Sequence, residues 1–280
     1  MGDLAVGQSY PLTSACASEQ ETRRLDEMHA AFTHHFGGEL GLSPIADVRP
    51  RKILDLGCGS GAWAIQAAVQ FPEAQVVAVD ISPLPKRQIP GNMTFAQLDL
   101  SKDWDLENQS FDIVHSRLVM SHVPNGEHVV RRSAQLVKPG GLLIMEDIDV
   151  NSLARTGGPA AALLAAKVIQ IWGLRSADLE IASKFAGIMT SLGYFPRVHA
   201  HKITIPLSGT GSDEAVSALG LAIRKSWTGL SESLGSHFVD AGLTEAMIRE
   251  QSEELYSADC RATMDMYSCW ALRSQDENES

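Results

Sequence analysis

The sequence predicts an α/β fold in which short strands alternate with helices. Three observations carry that expectation. Ile53, Leu54 and Leu56 form a short apolar run that breaks into Gly57, Gly59 and Gly61, and a helix-compatible pattern (Trp63, Ile65, Ala67, Ala68, Phe71) follows until Pro72. A second run, Gln75 to Asp80, is rich in valine and ends in an acid, and a third, Met93 to Leu98, leads into Asp99 and Leu100. Glycine at the first turn lets a ligand approach bare main-chain amides, and an acid about twenty residues on is where a ribose hydroxyl pair is held.

Taken in chain order, residues 1–17 read as an extended arm of small and polar residues that includes Tyr10. Ser18 and Glu21 have capping-box spacing, and Leu25, Met28, Phe32 and Phe36 recur at helical spacing until Gly37 and Gly38. Residues 1–38 therefore read as an arm and a helix, and 39–280 as the main domain. After Asp80 and Ile81, Pro83, Pro85 and Pro90 forbid an ordinary helix. Phe111 to Arg117 and Lys138 to Asp147 are strand signals, the latter opening on a Pro-Gly-Gly turn. Beyond them the reading is a loop from Asn151 to Gly158, helices over Ala160–Trp172 and Ile181–Leu192, and a strand at Val198–Pro206. A helix over Ala215–Asp240 broken near Gly229, a helix capped by Thr244, a strand over Met264–Leu272 and a frayed acidic tail complete it.

The glycine turn with its two acids resembles the class I S-adenosylmethionine (SAM) dependent methyltransferases from about Arg51 to Asp149. The proline-rich segment and Asp103-Trp104 resemble, more narrowly, the fungal secondary-metabolite (LaeA-like) methyltransferases. The resemblance implies a Rossmann-like seven-stranded sheet, mainly parallel with an antiparallel last strand, an N-terminal helical lid over residues 1–38 and C-terminal helical insertions within 149–260 that enclose the substrate. It also implies SAM as cofactor, with Asp55, Gly57, Gly59 and Gly61 near the methionine moiety, Asp80 and Ile81 at the ribose, and Asp99 and Leu100 at the adenine. Ser116, Arg117 and Tyr10 are candidates for the cofactor carboxylate or the substrate. An ion pair of Arg117 with Glu146 or Asp147 is the competing reading.

Methyl transfer needs a base only when the acceptor is protonated at working pH. His122, in the loop after the fourth strand, is the first candidate; His29 on the lid helix and Glu146 on the fifth strand follow, with packing and ion pairing as their alternatives. The net charge of −11 and the absence of basic clusters longer than pairs disfavour nucleic acid and anionic membranes as partners. No run of eighteen apolar residues occurs, and the four cysteines lack metal-site spacing. A cytoplasmic enzyme, with the nucleus allowed, is expected, and a homodimer is among the open oligomeric states. Functionally, the sequence points to a SAM-dependent O- or N-methyltransferase acting on a small apolar metabolite. A SAM-binding regulator or scaffold, and an enzyme using SAM for cyclisation or rearrangement, stay open. A nicotinamide oxidoreductase fits less well, because Gly61 comes two residues after Gly59 instead of three and Asp99 would have no duty.

Overall fold

Every short apolar run that precedes an acid or a glycine turn becomes a strand with its carboxyl end on one edge of a single sheet. The computed structural model describes residues 18–275. In chain order its elements are α1 (Glu19–His35), α2 (Ile45–Val48), β1 (Lys52–Leu56), α3 (Ala62–Gln70), β2 (Gln75–Asp80), β3 (Met93–Gln97), β4 (Phe111–Arg117), α4 (Gly126–Leu136), β5 (Val137–Asp149), α5 (Val150–Thr156) and α6 (Pro159–Gly173). A 3₁₀ turn (Ile181–Lys184), α7 (Phe185–Thr190), β6 (Val198–Pro206), α8 (Glu214–Phe238), α9 (Glu245–Leu255) and β7 (Thr263–Leu272) follow. The seven strands run in the order β3-β2-β1-β4-β5-β7-β6, with β7 antiparallel to both neighbours and the other pairs parallel. The order reverses between β1 and β4, the switch point at which open α/β sheets bind ligands.

Period-two alternation decides which residues reach that edge. Ile53 pairs with Ile113 and Asp55 with His115, while Ile144 and Glu146 on β5 pair with His115 and Arg117. On this one face the strands thus begin apolar and end polar. Ile53, Ile113, Leu142 and Ile144 join the core under Trp63 of α3, and Asp55, His115, Arg117 and Glu146 lie towards the carboxyl ends. The opposite face carries Leu54, Leu56, Val114, Leu143 and Met145, which pack against α4 and the 181–195 segment.

Two expectations fail. Asn151–Gly158 is largely helical, because Asp149 caps α5 by accepting from the Asn151 N–H and because Val150 and Leu153 bury their side chains. Gly229 does not break α8: a single helix runs Glu214–Phe238, and open space surrounds the glycine. A lone glycine weakens a helix by only about 1 kcal/mol, which the packing of Leu219, Ile223 and Trp227 into the core exceeds. The caps behave as expected. Ser18 accepts from the Glu21 N–H, although the Glu21 carboxylate pairs with Arg24 and does not return to Ser18. Thr244 accepts from the Met247 N–H at 3.2 Å. Thr244→Ala is expected to lower the unfolding free energy by about 1 kcal/mol, read from a denaturant titration.

Candidate functional site

The glycine turn is shaped by β2. Gly57 and Cys58 donate to the Val79 carbonyl, and Gly59 donates to Asp80 Oδ2 at 2.9 Å, while Ser82 donates to Oδ1 at 2.9 Å. Gly57 sits at φ +71°, and a Cβ there would stand 2.4 Å from a methyl of Val119, so neither the backbone nor the space admits a side chain. Burial pushes the Asp80 carboxyl above its ordinary value, and the amides of Ser82 and Gly59 pull the other way. Asp80 is therefore already the brace of the loop and faces the cavity as well.

A cavity of about 290 Å³ opens above the strand ends. At one end it is lined by Asp55, Gly57, Gly59, Asp80, Ile81 and Asp99, with Leu100 beside them; at the other by Met28, Val168, Trp172, Ile223, Trp227 and Met264. Asp99 uses Oδ1 to accept from the amide and hydroxyl of Ser101. Asp55 is 2 % exposed; its Oδ1 accepts from His115 at 2.8 Å, and its Oδ2 is buried without a hydrogen-bond partner. An orphaned carboxylate oxygen beside glycine amides and two more acids fits a ligand that carries an ammonium, ribose hydroxyls and an amino-substituted base, which is the donor pattern of SAM. The donors of that molecule and the acceptors of this site match.

Alpha-1 closes the cavity over this edge. Asp26 accepts from Ser60 of the glycine turn at 2.7 Å and pairs with Arg87 of the proline-rich segment at 3.0 Å, and Arg87 also donates to the Ser60 carbonyl. Leu25, Met28, His29 and Phe32 line the space beneath. His29 is held by Gln66 at 2.8 Å, and burial, then Arg117, lowers its pKa to about 4. His122 also faces the cavity, edge-on to Trp172 at 6.3 Å; burial, then the Arg24 charge, lowers its pKa to about 4, so its imidazole is neutral at pH 7.

Other candidates stand elsewhere. Glu146 does not line the cavity: it is bound by Arg117 Nε at 2.6 Å and by Ser268 at 2.7 Å, so it is the ion-pair partner and not a proton carrier. Arg117 does line the cavity, but its guanidinium is committed to Glu146 and to the Leu40 carbonyl and lies over the rings of Phe32 and Phe36. Ser116 points to the other face of the sheet, one residue out of phase with His115, and donates to the Leu56 carbonyl. Gly61 turns the chain into α3 at φ +80°, against Leu84, behind the cavity wall. Tyr10 lies outside the described residues. His115, Leu118 and Arg175 also line the cavity and are not among the residues the sequence singles out. Leu118 holds φ +58° at the end of β4, where strained backbone gathers at functional edges, and no local signal marks it.

The profile of a family described as a methyltransferase domain matches residues 28–183. "Methyltransferase str2" of Strobilurus tenacellus is 33% identical over 259 residues, covering 91% of each chain. "Secondary metabolism regulator laeA" of Aspergillus flavus is 35% identical over 132 residues, covering 47% of this chain and 36% of that one. Among solved structures, Haemonchus contortus phosphoethanolamine N-methyltransferase 2 bound to S-adenosylhomocysteine superposes with a TM-score of 0.54 at 17% identity, over 97% of this chain and 61% of that one. That last likeness is one of fold.

Proposed function

The chain belongs to the methyltransferase-domain family and is a SAM-dependent methyltransferase, and from that premise we propose that its acceptor is an oxygen or nitrogen of a small apolar metabolite. The observation that carries the proposal is the continuity of one cavity. Its polar end matches the cofactor, and its other end is walled by Met28, Val168, Trp172, Ile223, Trp227 and Met264. Such a wall favours a molecule that is mostly carbon, while His122 and the Arg24–Ser226 pair, itself held by Glu21, place a few polar atoms at the same cavity.

SAM supplies an electrophilic methyl group on a sulfonium. What the chain contributes is placement and dryness: α1 and α8 cover the chamber, and orientation of reactants can be worth roughly 7 to 11 kcal/mol of barrier. For an acceptor that arrives protonated, we assign the role of base to the neutral His122 imidazole, His29 being held by Gln66. Loss of a positioned base costs on the order of a hundredfold or more. His122→Ala is therefore expected to lower kcat for a hydroxyl acceptor by about that factor, with S-adenosylhomocysteine affinity unmoved. The wild-type kcat should rise as pH increases through about 4 and be level near neutrality.

The match to the methyltransferase relative spans nearly the whole chain, and the match to the regulator only about half of it, which favours an enzyme over a scaffold. Incubation with methyl-labelled SAM and a panel of apolar phenols, carboxylic acids and amines beside polar acceptors bearing the same groups, read by mass spectrometry, tests the proposal. A labelled product one methyl heavier than its acceptor supports it. Tight S-adenosylhomocysteine binding with labelling of polar acceptors alone refutes it, and a product of unchanged mass points to rearrangement.

A further inference from the structure

Beneath the glycine turn lies a polar cluster that the methyl-transfer chemistry does not itself use. His115, 1 % exposed, sits near the carboxyl end of β4 directly across from Asp55 on β1, and its Nδ1 donates to Asp55 Oδ1 at 2.8 Å. Trp63 lies flat on the imidazole, with centroids 3.6 Å apart and planes 5° from parallel. That indole is fixed in turn, since its Nε1 donates to the Leu40 carbonyl, which also accepts from Arg117. His115 Nε2 faces Glu146 at 3.6 Å, beyond hydrogen-bond reach. The ring therefore has one strong directional contact, with Asp55, and a rigid clamp that prevents it from turning.

That contact selects between the two oxygens of Asp55. Oδ1 is satisfied inside the protein, whereas Oδ2 is left buried and unpartnered on a residue that lines the cofactor end of the cavity. An unsatisfied buried carboxylate oxygen is costly unless a donor arrives, and a cationic donor gains most from it. We propose that His115 is a positioning residue for the cofactor: clamped by Trp63, it holds Asp55 so that Oδ2 accepts from the ammonium of the cofactor's amino-acid moiety. This deepens the SAM reading and rests on it.

The test compares two ligands by calorimetry: S-adenosylhomocysteine, which carries the ammonium, and 5′-methylthioadenosine, which keeps the nucleoside and thioether but lacks the amino-acid group. His115→Phe preserves the stack on Trp63 and removes the donor; His115→Asn restores an N–H near the position of Nδ1. The proposal expects His115→Phe to weaken S-adenosylhomocysteine about tenfold or more while methylthioadenosine stays within about twofold, and His115→Asn to recover most of the loss. In the double variant with Asp55→Asn, the His115→Phe loss should largely vanish, because the histidine acts through that carboxylate. Equal weakening of both ligands, or additive losses in the double variant, would overturn it by making His115 a general brace of the loop. If His115→Phe does not fold, His115→Asn and Asp55→Asn decide the matter. Near-native S-adenosylhomocysteine binding in the first, and a loss confined to that ligand in the second, are required. Failure of the wild type to bind either ligand would instead fault the cofactor assignment.

Discussion

Asp80→Ala is expected to weaken S-adenosylhomocysteine binding by roughly two to four orders of magnitude, from the loss of two charge-assisted hydrogen bonds to a ribose at about 1.5 to 3 kcal/mol each. The variant removes more than ligand contacts. Asp80 already accepts from the amides of Gly59 and Ser82, so its loss leaves two donors at the mouth of the glycine turn without their acceptors. Asp80→Asn separates the effects. Its amide oxygen can keep one of the two loop bonds, while its NH₂ group faces the other amide donor and the charge is gone. It should bind better than alanine and worse than wild type, with a smaller fall in melting temperature. Because burial raises the Asp80 carboxyl above its ordinary value, protonation begins at higher pH than for a free aspartate. Wild-type affinity should accordingly decline on acidification before that of a site built on ordinary carboxylates. Calorimetry across pH on the wild type and both variants checks this; unchanged affinity in Asp80→Ala would leave Asp80 as a loop brace only.

The part of this site legible in the sequence is the part made of local signals. Gly57 and Gly59 announce a turn by their own backbone freedom, Pro83, Pro85 and Pro90 exclude a helix by their own geometry, and an acid closing a valine-rich run marks a strand end. The illegible part depends on which face a residue meets and on partners far along the chain. Ser116 and Arg117 are neighbours in sequence, yet period two sends one into the core behind the sheet and the other over the lid. His115 acquires meaning only from Asp55, sixty residues before it, and from an indole on a helix between them. The lid contact of Asp26 with Ser60 and Arg87 likewise joins three segments that no periodicity links. Helix α5 is illegible for a related reason: its polar sequence is stabilised by a cap at Asp149, the end of β5, and by burial of Val150 and Leu153 against β7 and α6.

The largest effect on stability is expected from Glu146→Gln. Glu146 is 1 % exposed, and its charge is balanced by Arg117, whose side chain is only 8 % exposed. Burial pushes the Glu146 carboxyl up, but the Arg117 guanidinium, then His115 and Ser268, outweigh it and hold the pKa down at about 2. The glutamine is nearly isosteric and can still accept from Arg117, and the Ser268 hydroxyl can turn to accept from the new NH₂ group, so the change isolates the charge. An unbalanced buried guanidinium costs about 3 to 5 kcal/mol, which for a chain of this size lowers the melting temperature by on the order of ten degrees. The pH dependence fixes the cause. A carboxylate whose folded pKa lies below its ordinary value contributes fully above about 4.5 and loses that contribution as pH falls towards 2. Wild type should therefore lose this stability in acid while Glu146→Gln has none of it to lose, and the gap between their melting temperatures should narrow over that interval. A gap that stays constant would assign the loss to packing. The double variant Glu146→Leu with Arg117→Leu sharpens the test: removing both charges should destabilise less than Glu146→Gln alone, because the cost lies in the stranded cation and not in the missing pair.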